Sequence, residues 1–255
     1  DHGYLKPIEH YGSDERIIEA ARMSTNKGFL GWEPGTCPIC DGEKAISGED
    51  GSNAVLVCWG CEGKGTIAGD KQLLKFLYNK KHVTPFEMAG MVIEVQAPIF
   101  VFREWHRHRT QSYNEMSARY IPLPDLNYVP TTDRLLLNSL VNKQAGAIKG
   151  AKVLDITGAI EFQKELKRKY EEQEAFYQWA LQMGVPKELA RIDLPVGRYS
   201  RMRANANLRN WLAFLTLRSA PDAQWEIRQF AFEVGKLIAE RYPRTWHLFE
   251  MERDQ

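Results

Sequence analysis

The chain has 255 residues, 44% hydrophobic and 26% charged, an ordinary globular composition with length enough for one large or two small domains. Its 34 basic and 33 acidic residues leave a formal charge of +1, which argues against a general nucleic-acid coat and makes any basic cluster a local feature. No apolar run approaches the roughly 18–20 residues needed to span a bilayer, and the opening DHGYLKPIEHYG lacks the layout of a secretory signal. A soluble, cytoplasmic protein is expected, with no membrane contact and no internal repeat.

Ser13 followed by DERIIEAARM predicts a helix with acids in its first turn, and NKGFLGWEPG (27–36) breaks it. CPIC and CWGC then hold the chain's only cysteines: Cys37, Cys40, Cys58 and Cys61. Their Cys-x2-Cys-x17-Cys-x2-Cys spacing can bring four thiolates to the corners of a tetrahedron, as Zn²⁺ prefers, and glycines follow each pair. Two disulfides suit a cytoplasmic chain poorly, and a redox centre normally needs one pair. A structural zinc module is therefore predicted over 35–66, with AVLV (54–57) as a strand within it. If all four thiolates bind metal, none remains as a nucleophile.

DKQLLKFLYNKK (Asp70–Lys81) predicts a short amphipathic helix. MAGMVIEVQAPIF predicts a strand ended by Pro98, and IFVFREWHRHR a helix running into a basic cluster. IPLPDLNYVPTTD, with three prolines, is a surface loop, and 135–158 is ambiguous. A long amphipathic helix is predicted over 159–183, a shorter one near 186–191, and two more over 205–217 and 222–241. The result is a helix-rich α+β chain with the metal module inserted between its first two helices.

Three segments keep polar groups where a core would take apolar ones: HVTPFE (82–87), RHRTQSYNEMSARY (107–120) and ARIDLPVGRYSRMRANANLRNWLAFLTLR (190–218). Arg107, Arg109, Arg119, Arg191, Arg209 and Arg218 lie in or beside apolar-rich elements, and a guanidinium fork matches phosphate oxygens or a planar ring edge. Asn114, Asn207 and Ser117 add neutral donors and acceptors. Taken singly, each arginine reads as a surface ion pair, and His82 and His108 as histidines satisfied by backbone. Their clustering points instead to a large anionic, ring-bearing ligand such as a nucleotide.

RHRTQSYNEMS, an Arg-His-Arg followed after seven residues by Ser, resembles the signature of the flavin-dependent thymidylate synthases. The resemblance extends to HVTPFE before it and to ARIDLP, NLR and LRSAPDAQWEIR after it, covering about 14–26 and 70–250. It implies a single domain over 1–255, helix-rich α+β with a central antiparallel or mixed sheet, the zinc-ribbon-like module being an addition to the usual pattern. It also implies methylation of dUMP with FAD, methylenetetrahydrofolate as one-carbon donor and NADPH as reductant, in a homotetramer with shared active sites. By position, Thr84, Arg107, His108, Arg109, Glu115, Asn207 and Arg209 would meet the flavin, with His82 close by as a catalytic position. Glu104, Arg107, Glu115, Ser117, Ala118, Arg119 and Arg191 would meet the nucleotide. Arg218 would stabilise the uracil ring, and Ser117, lacking an adjacent base, would position substrate rather than attack it.

The chain departs from the family pattern at Met88, Ala213 and Asp222, positions where polar side chains or histidine are frequent. Those departures keep a second reaction in view, methylation or hydroxymethylation of another deoxypyrimidine nucleotide such as dCMP. A zinc-containing nucleic-acid binder is the distant third reading, and the balanced charge argues against it.

Overall fold

A computed structural model of the chain describes residues 2–47, 55–137, 139, 142 and 144–253. The strands in chain order are β1 (Tyr4–Tyr11), β2 (Gly35–Thr36), β3 (Ala45–Ser47), β4 (Val55–Val57), β5 (Thr66–Ile67), β6 (Gly90–Pro98), β7 (Ser112–Glu115) and β8 (Tyr199–Asn207). The helices are α1 (Asp14–Arg22), α2 (Asp70–Asn79), α3 (Ile99–Trp105), α4 (Thr132–Leu136), α5 (Ile156–Gln182), α6 (Lys187–Ala190), α7 (Leu208–Arg218), α8 (Trp225–Arg241) and α9 (Pro243–Arg253). The chain divides into a first unit of Asp1–Ile8, Val92–Asn205 and Phe214–Val234 and a second of Glu9–Met91, Ala206–Ala213 and Gly235–Gln255.

The first unit is built on a four-stranded sheet in the order β1-β6-β8-β7. Alternation makes β8 a strand: Met202 and Ala204 are buried while Arg201, Arg203 and Asn205 face outward. β7 runs antiparallel to it, pairing Tyr113 with Ala204 and Glu115 with Met202. Pro7 is tolerated in β1 because that strand lies at the sheet edge. On α3, Trp105 is buried and stacks on Phe214 of α7, with ring centroids 4.7 Å apart.

Two buried charges anchor the proline-rich loop. Arg198 is 1% exposed and pairs with Asp125 at 2.8 Å and Glu174 of α5 at 2.7 Å, while its Nη2 donates to the Leu123 carbonyl. Glu226 of α8 accepts two bonds from Arg134 and one from the Tyr128 hydroxyl. Removing both acids of Arg198 would strand a buried guanidinium, which is far costlier than losing a surface pair.

In the second unit Ile17 and Ile18 of α1 and Leu74 and Leu77 of α2 form the apolar seam expected of amphipathic helices. Asp14, also on α1, accepts from the Arg244 and Thr245 amides and the Thr245 hydroxyl, satisfying orphan N–H groups at the start of α9. Asp70 is wholly buried, accepts from the Leu30 amide at 2.9 Å and is paired with Arg22. Its own amide donates to the Gly31 carbonyl, closing the base of the cysteine module.

That module contains a repeat that the cysteine spacing alone conceals. Cys37 and Cys58, like Cys40 and Cys61, are 21 residues apart. Both turns run through left-handed backbone at an acid and then a glycine, Asp41–Gly42 and Glu62–Gly63. The Cys37 amide donates to the Gly65 carbonyl, and the Cys58 amide to the Lys44 carbonyl, each at 3.0 Å. β2 pairs with β5 and β3 with β4, so the module is two equivalent knuckles facing one another.

The predicted helices near 14–22, 70–81, 159–183 and 222–241 are present with small shifts of their ends. The helix predicted over 205–217 starts at Leu208, because 199–207 is strand. β1, β2, β3, β5, β7, β8, α4 and α9 are not among the elements the sequence predicts. Ala54 of the predicted AVLV strand and residues 138, 140, 141 and 143 of the ambiguous stretch lie outside the described residues. Among the described residues no helix is long and apolar enough to cross a membrane.

Candidate active site and metal centre

The Arg-His-Arg run occupies the tight connection between α3 and β7. Trp105 anchors it, its indole N–H donating to Gln111 Oε1 at 3.0 Å. The Tyr113 hydroxyl donates to the His108 carbonyl at 2.7 Å and to the Trp105 carbonyl at 3.1 Å, cross-bracing the turn. Within this frame the side chains diverge. Arg107 and Arg109 are exposed, and neither side chain has an acidic partner among the described residues. His108 turns inward, its ring edge-on to Phe214 at 4.9 Å.

Arg218, the last residue of α7, meets His108 there. Its Nε donates to His108 Nε2 at 2.8 Å, Nη1 to Glu104 Oε2 at 2.9 Å and Nη2 to the Glu104 carbonyl at 2.9 Å. Burial, and then the Arg218 charge, push the His108 pKa down to about 4 against the opposing pull of Glu104. The imidazole is therefore neutral at pH 7, with the Nε2 lone pair free to accept and the proton on Nδ1.

Glu115 ends β7, and the chain turns tightly behind it. Ser117 Oγ accepts from the Arg119 amide, and the Ser117 carbonyl accepts from the Tyr120 and Ile121 amides. No imidazole or carboxylate meets this hydroxyl among the described residues, so nothing activates it as a nucleophile. Ala118 is buried under the turn. Arg119 pairs with Glu188 at 3.4 Å, and Arg191 Nε donates to the Glu188 carbonyl at 3.3 Å. Lys187 reaches the Tyr120 carbonyl from the same helix, so three cations gather at this corner.

The second unit carries the other predicted residues. The His82 amide donates to the Leu77 carbonyl, and its ring packs against Phe76. Thr84 opens a short 3-10 turn, Thr84–Met88, in which Glu87 pairs with Arg209 at 2.5 Å. Asn207 Oδ1 accepts from the Asn210 amide and so caps the start of α7. An open cavity of about 530 Å³ in this unit is lined by Tyr11, Ser13, Arg16, Met23 and Met88, and none of the predicted site residues lines it.

The four cysteine sulfurs lie within 4.8 Å of one another, and all four residues are buried. Cys37 and Cys58 are 3.8 Å apart at sulfur, and Cys40 and Cys61 3.7 Å. Disulfide sulfurs would stand about 2.05 Å apart. A zinc–thiolate tetrahedron with bonds of about 2.3 Å has edges of about 3.8 Å, so the spacing suits a metal and not a disulfide. The Gly65 amide also points at Cys61 Sγ, 3.2 Å away, a donor that favours the thiolate.

Residues 7–244 match the family described as Thymidylate synthase complementing protein. A flavin-dependent thymidylate synthase of Thermus thermophilus is 36% identical over 254 residues, 98% of this chain and 76% of that protein. The chain belongs to the flavin-dependent thymidylate synthase family. Another such synthase, from Thermosipho melanesiensis, is 32% identical, with 98% of this chain and 91% of that protein aligned. Among solved structures, the UMP/dUMP methylase PolB of Streptomyces cacaoi bound with 5-Br UMP superposes with a TM-score of 0.73 at 26% identity, covering 98% and 94% of the two chains.

For a flavin-dependent thymidylate synthase, the residues assigned by resemblance fall into three groups: Glu104, His108 and Arg218, with the exposed Arg107 and Arg109 on either side of His108; the turn from Glu115 to Arg119 with Arg191; and His82, Thr84, Asn207 and Arg209 in the second unit. Glu87, Glu188, Gln111 and Tyr113 are partners that sequence reasoning missed. The acid of HVTPFE was a signal that could have found Glu87.

Proposed function

We propose that this protein converts dUMP to dTMP by flavin-dependent reductive methylation, with methylenetetrahydrofolate as carbon donor and NADPH as reductant. The observation that carries the reading is Arg218 held beside a neutral histidine, in a chain whose four cysteines are gathered in one cluster. FAD suits the donor set: Arg107 and Arg109 offer guanidinium groups with no acid partner among the described residues, fitted to pyrophosphate or a ring edge. When bound, the reduced flavin supplies hydride chemistry, and no thiolate attack on the pyrimidine is required.

The chain's own residues bind and orient. Arg107, Arg109 and Glu115, and separately Thr84, Asn207 and Arg209 with His82 nearby, are assigned to the flavin, groups that a homotetramer with shared sites can combine across subunits. Arg119 and Arg191 are assigned to the nucleotide phosphate, and Ser117 and Ala118 to its seat. Arg218 lends positive charge to the uracil oxygens as the ring gains electron density. The cysteine cluster is assigned one structural Zn²⁺, and the enzyme is placed in the cytoplasm.

Protein supplied with dUMP, FAD, NADPH and methylenetetrahydrofolate is expected to form dTMP, and omission of FAD to abolish product. Turnover of dCMP with none of dUMP would overturn the reading. UMP belongs in the same comparison, since PolB is a UMP/dUMP methylase.

A further inference from the structure

Phe214 and Arg218 lie one helical turn apart on α7, so both project from one face. Glu104 and His108, four residues apart across the end of α3, meet that face and bond the arginine three times. Arginine carries five N–H donors, so one on each terminal nitrogen is left over.

We propose that Glu104 and His108 are positioning residues that hold Arg218 with these two remaining donors ready for the oxygen-bearing edge of the pyrimidine. This rests on the nucleotide reading above. A long, flexible side chain gives little electrostatic help unless its geometry is fixed before the ring arrives. Glu104 fixes both terminal nitrogens, one through its carboxylate and one through its carbonyl. His108 fixes Nε, which only a neutral imidazole can accept, and burial together with the neighbouring guanidinium keeps it neutral.

The histidine is itself held. Its carbonyl receives the Tyr113 hydroxyl and the Gln111 amide, and its ring is backed by Phe214. Gln111 is buried and tied to the wholly buried Trp105 indole. The clamp therefore stands on a rigid turn rather than on a mobile loop. His108 is, on this account, oriented toward Arg218, whereas Arg107 and Arg109 on either side remain open for a cofactor.

The test pairs His108→Phe, which keeps a ring against Phe214 but removes the acceptor, with His108→Gln, which restores one. His108→Phe is expected to lower kcat for dUMP at least about tenfold with flavin content and unfolding temperature unchanged, and His108→Gln to recover a substantial part. Turnover by His108→Phe within about threefold of wild type would overturn the proposal. So would loss of bound flavin in that variant, which would make His108 a cofactor ligand. Histidine-selective nitrogen NMR supplies a readout independent of turnover: in Arg218→Ala the His108 titration should move up from about 4 toward its usual 6.5. An unchanged titration would refute the clamp. Failure of the wild-type protein to methylate dUMP would refute the nucleotide reading, while the NMR result would still judge the clamp.

Discussion

Cys40→Ser takes one thiol from the four-cysteine cluster to which we assign a structural zinc. Among the described residues of that module the buried side chains are the four cysteines, with Ile46 and Ile67 packed partly buried against them. Val55, Leu56, Val57 and Trp59 are exposed, so the described residues offer no apolar core to replace the metal if it is lost. A structural zinc site contributes about 10–16 kcal/mol near neutral pH, comparable to or larger than the roughly 5–15 kcal/mol stability of a whole domain. Loss of a ligand should therefore unfold the module instead of loosening it. The damage should stop at its base, where Asp70 holds the Leu30 amide and the Arg22 guanidinium. Metal analysis is expected to give about one zinc per wild-type chain and almost none in the variant. Limited proteolysis should cut Cys40→Ser between residues 37 and 66 while the remaining protein resists. Cys61→Ser should behave alike, because the two knuckles are equivalent. Metal-free wild-type protein whose thiols react freely while the module still resists protease would refute the reasoning.

Arg218→Ala should retain flavin while dUMP methylation falls about 100-fold or more, the scale of losing a preorganised charge donor; turnover and flavin absorbance measure both. Asp14→Ala leaves the first N–H groups of α9 without their acceptor and should cost about 1–3 kcal/mol in denaturant unfolding, with Asp14→Asn milder. The depressed pKa of His108 also makes stability depend on pH. Between its folded value of about 4 and the usual 6.5 the unfolded chain binds the extra proton. Stability should therefore fall as pH is lowered through that window and be unaffected by this group above it, and His108→Phe should flatten that part of a stability–pH curve.

Helices with strong apolar spacing, α1, α2, α5 and α8, were legible because their periodicity survives without tertiary context. β8 was misread at its end because its inward positions include Ala204 and Ala206, whose small side chains barely mark a period of two. Asn207 then caps α7 abruptly, so strand and helix abut without a loop. β1 is exposed along most of its length and shows no alternation, and the SYNE of β7 reads as a polar site rather than a strand. The gathering of the four cysteines could be read in full because the spacing of the two CxxC pairs already implies it. The arginines stood out as a group, but their divergence did not: whether Arg107 lies open and Arg218 lies clamped depends on which acid the fold brings near, and Glu104 acquires that role only once α3 and α7 pack.

The most direct measurement is the mass of the nucleotide product formed from dUMP, FAD, NADPH and methylenetetrahydrofolate carrying a deuterated methylene group. A product in which the hydrogen on ring carbon 5 of dUMP is replaced by a deuterium-labelled methyl, a net gain of one CD2 unit, formed only when flavin is present, is the expected result. Unchanged dUMP alongside labelled product from dCMP, or labelled dTMP formed equally well without flavin, would contradict the assignment.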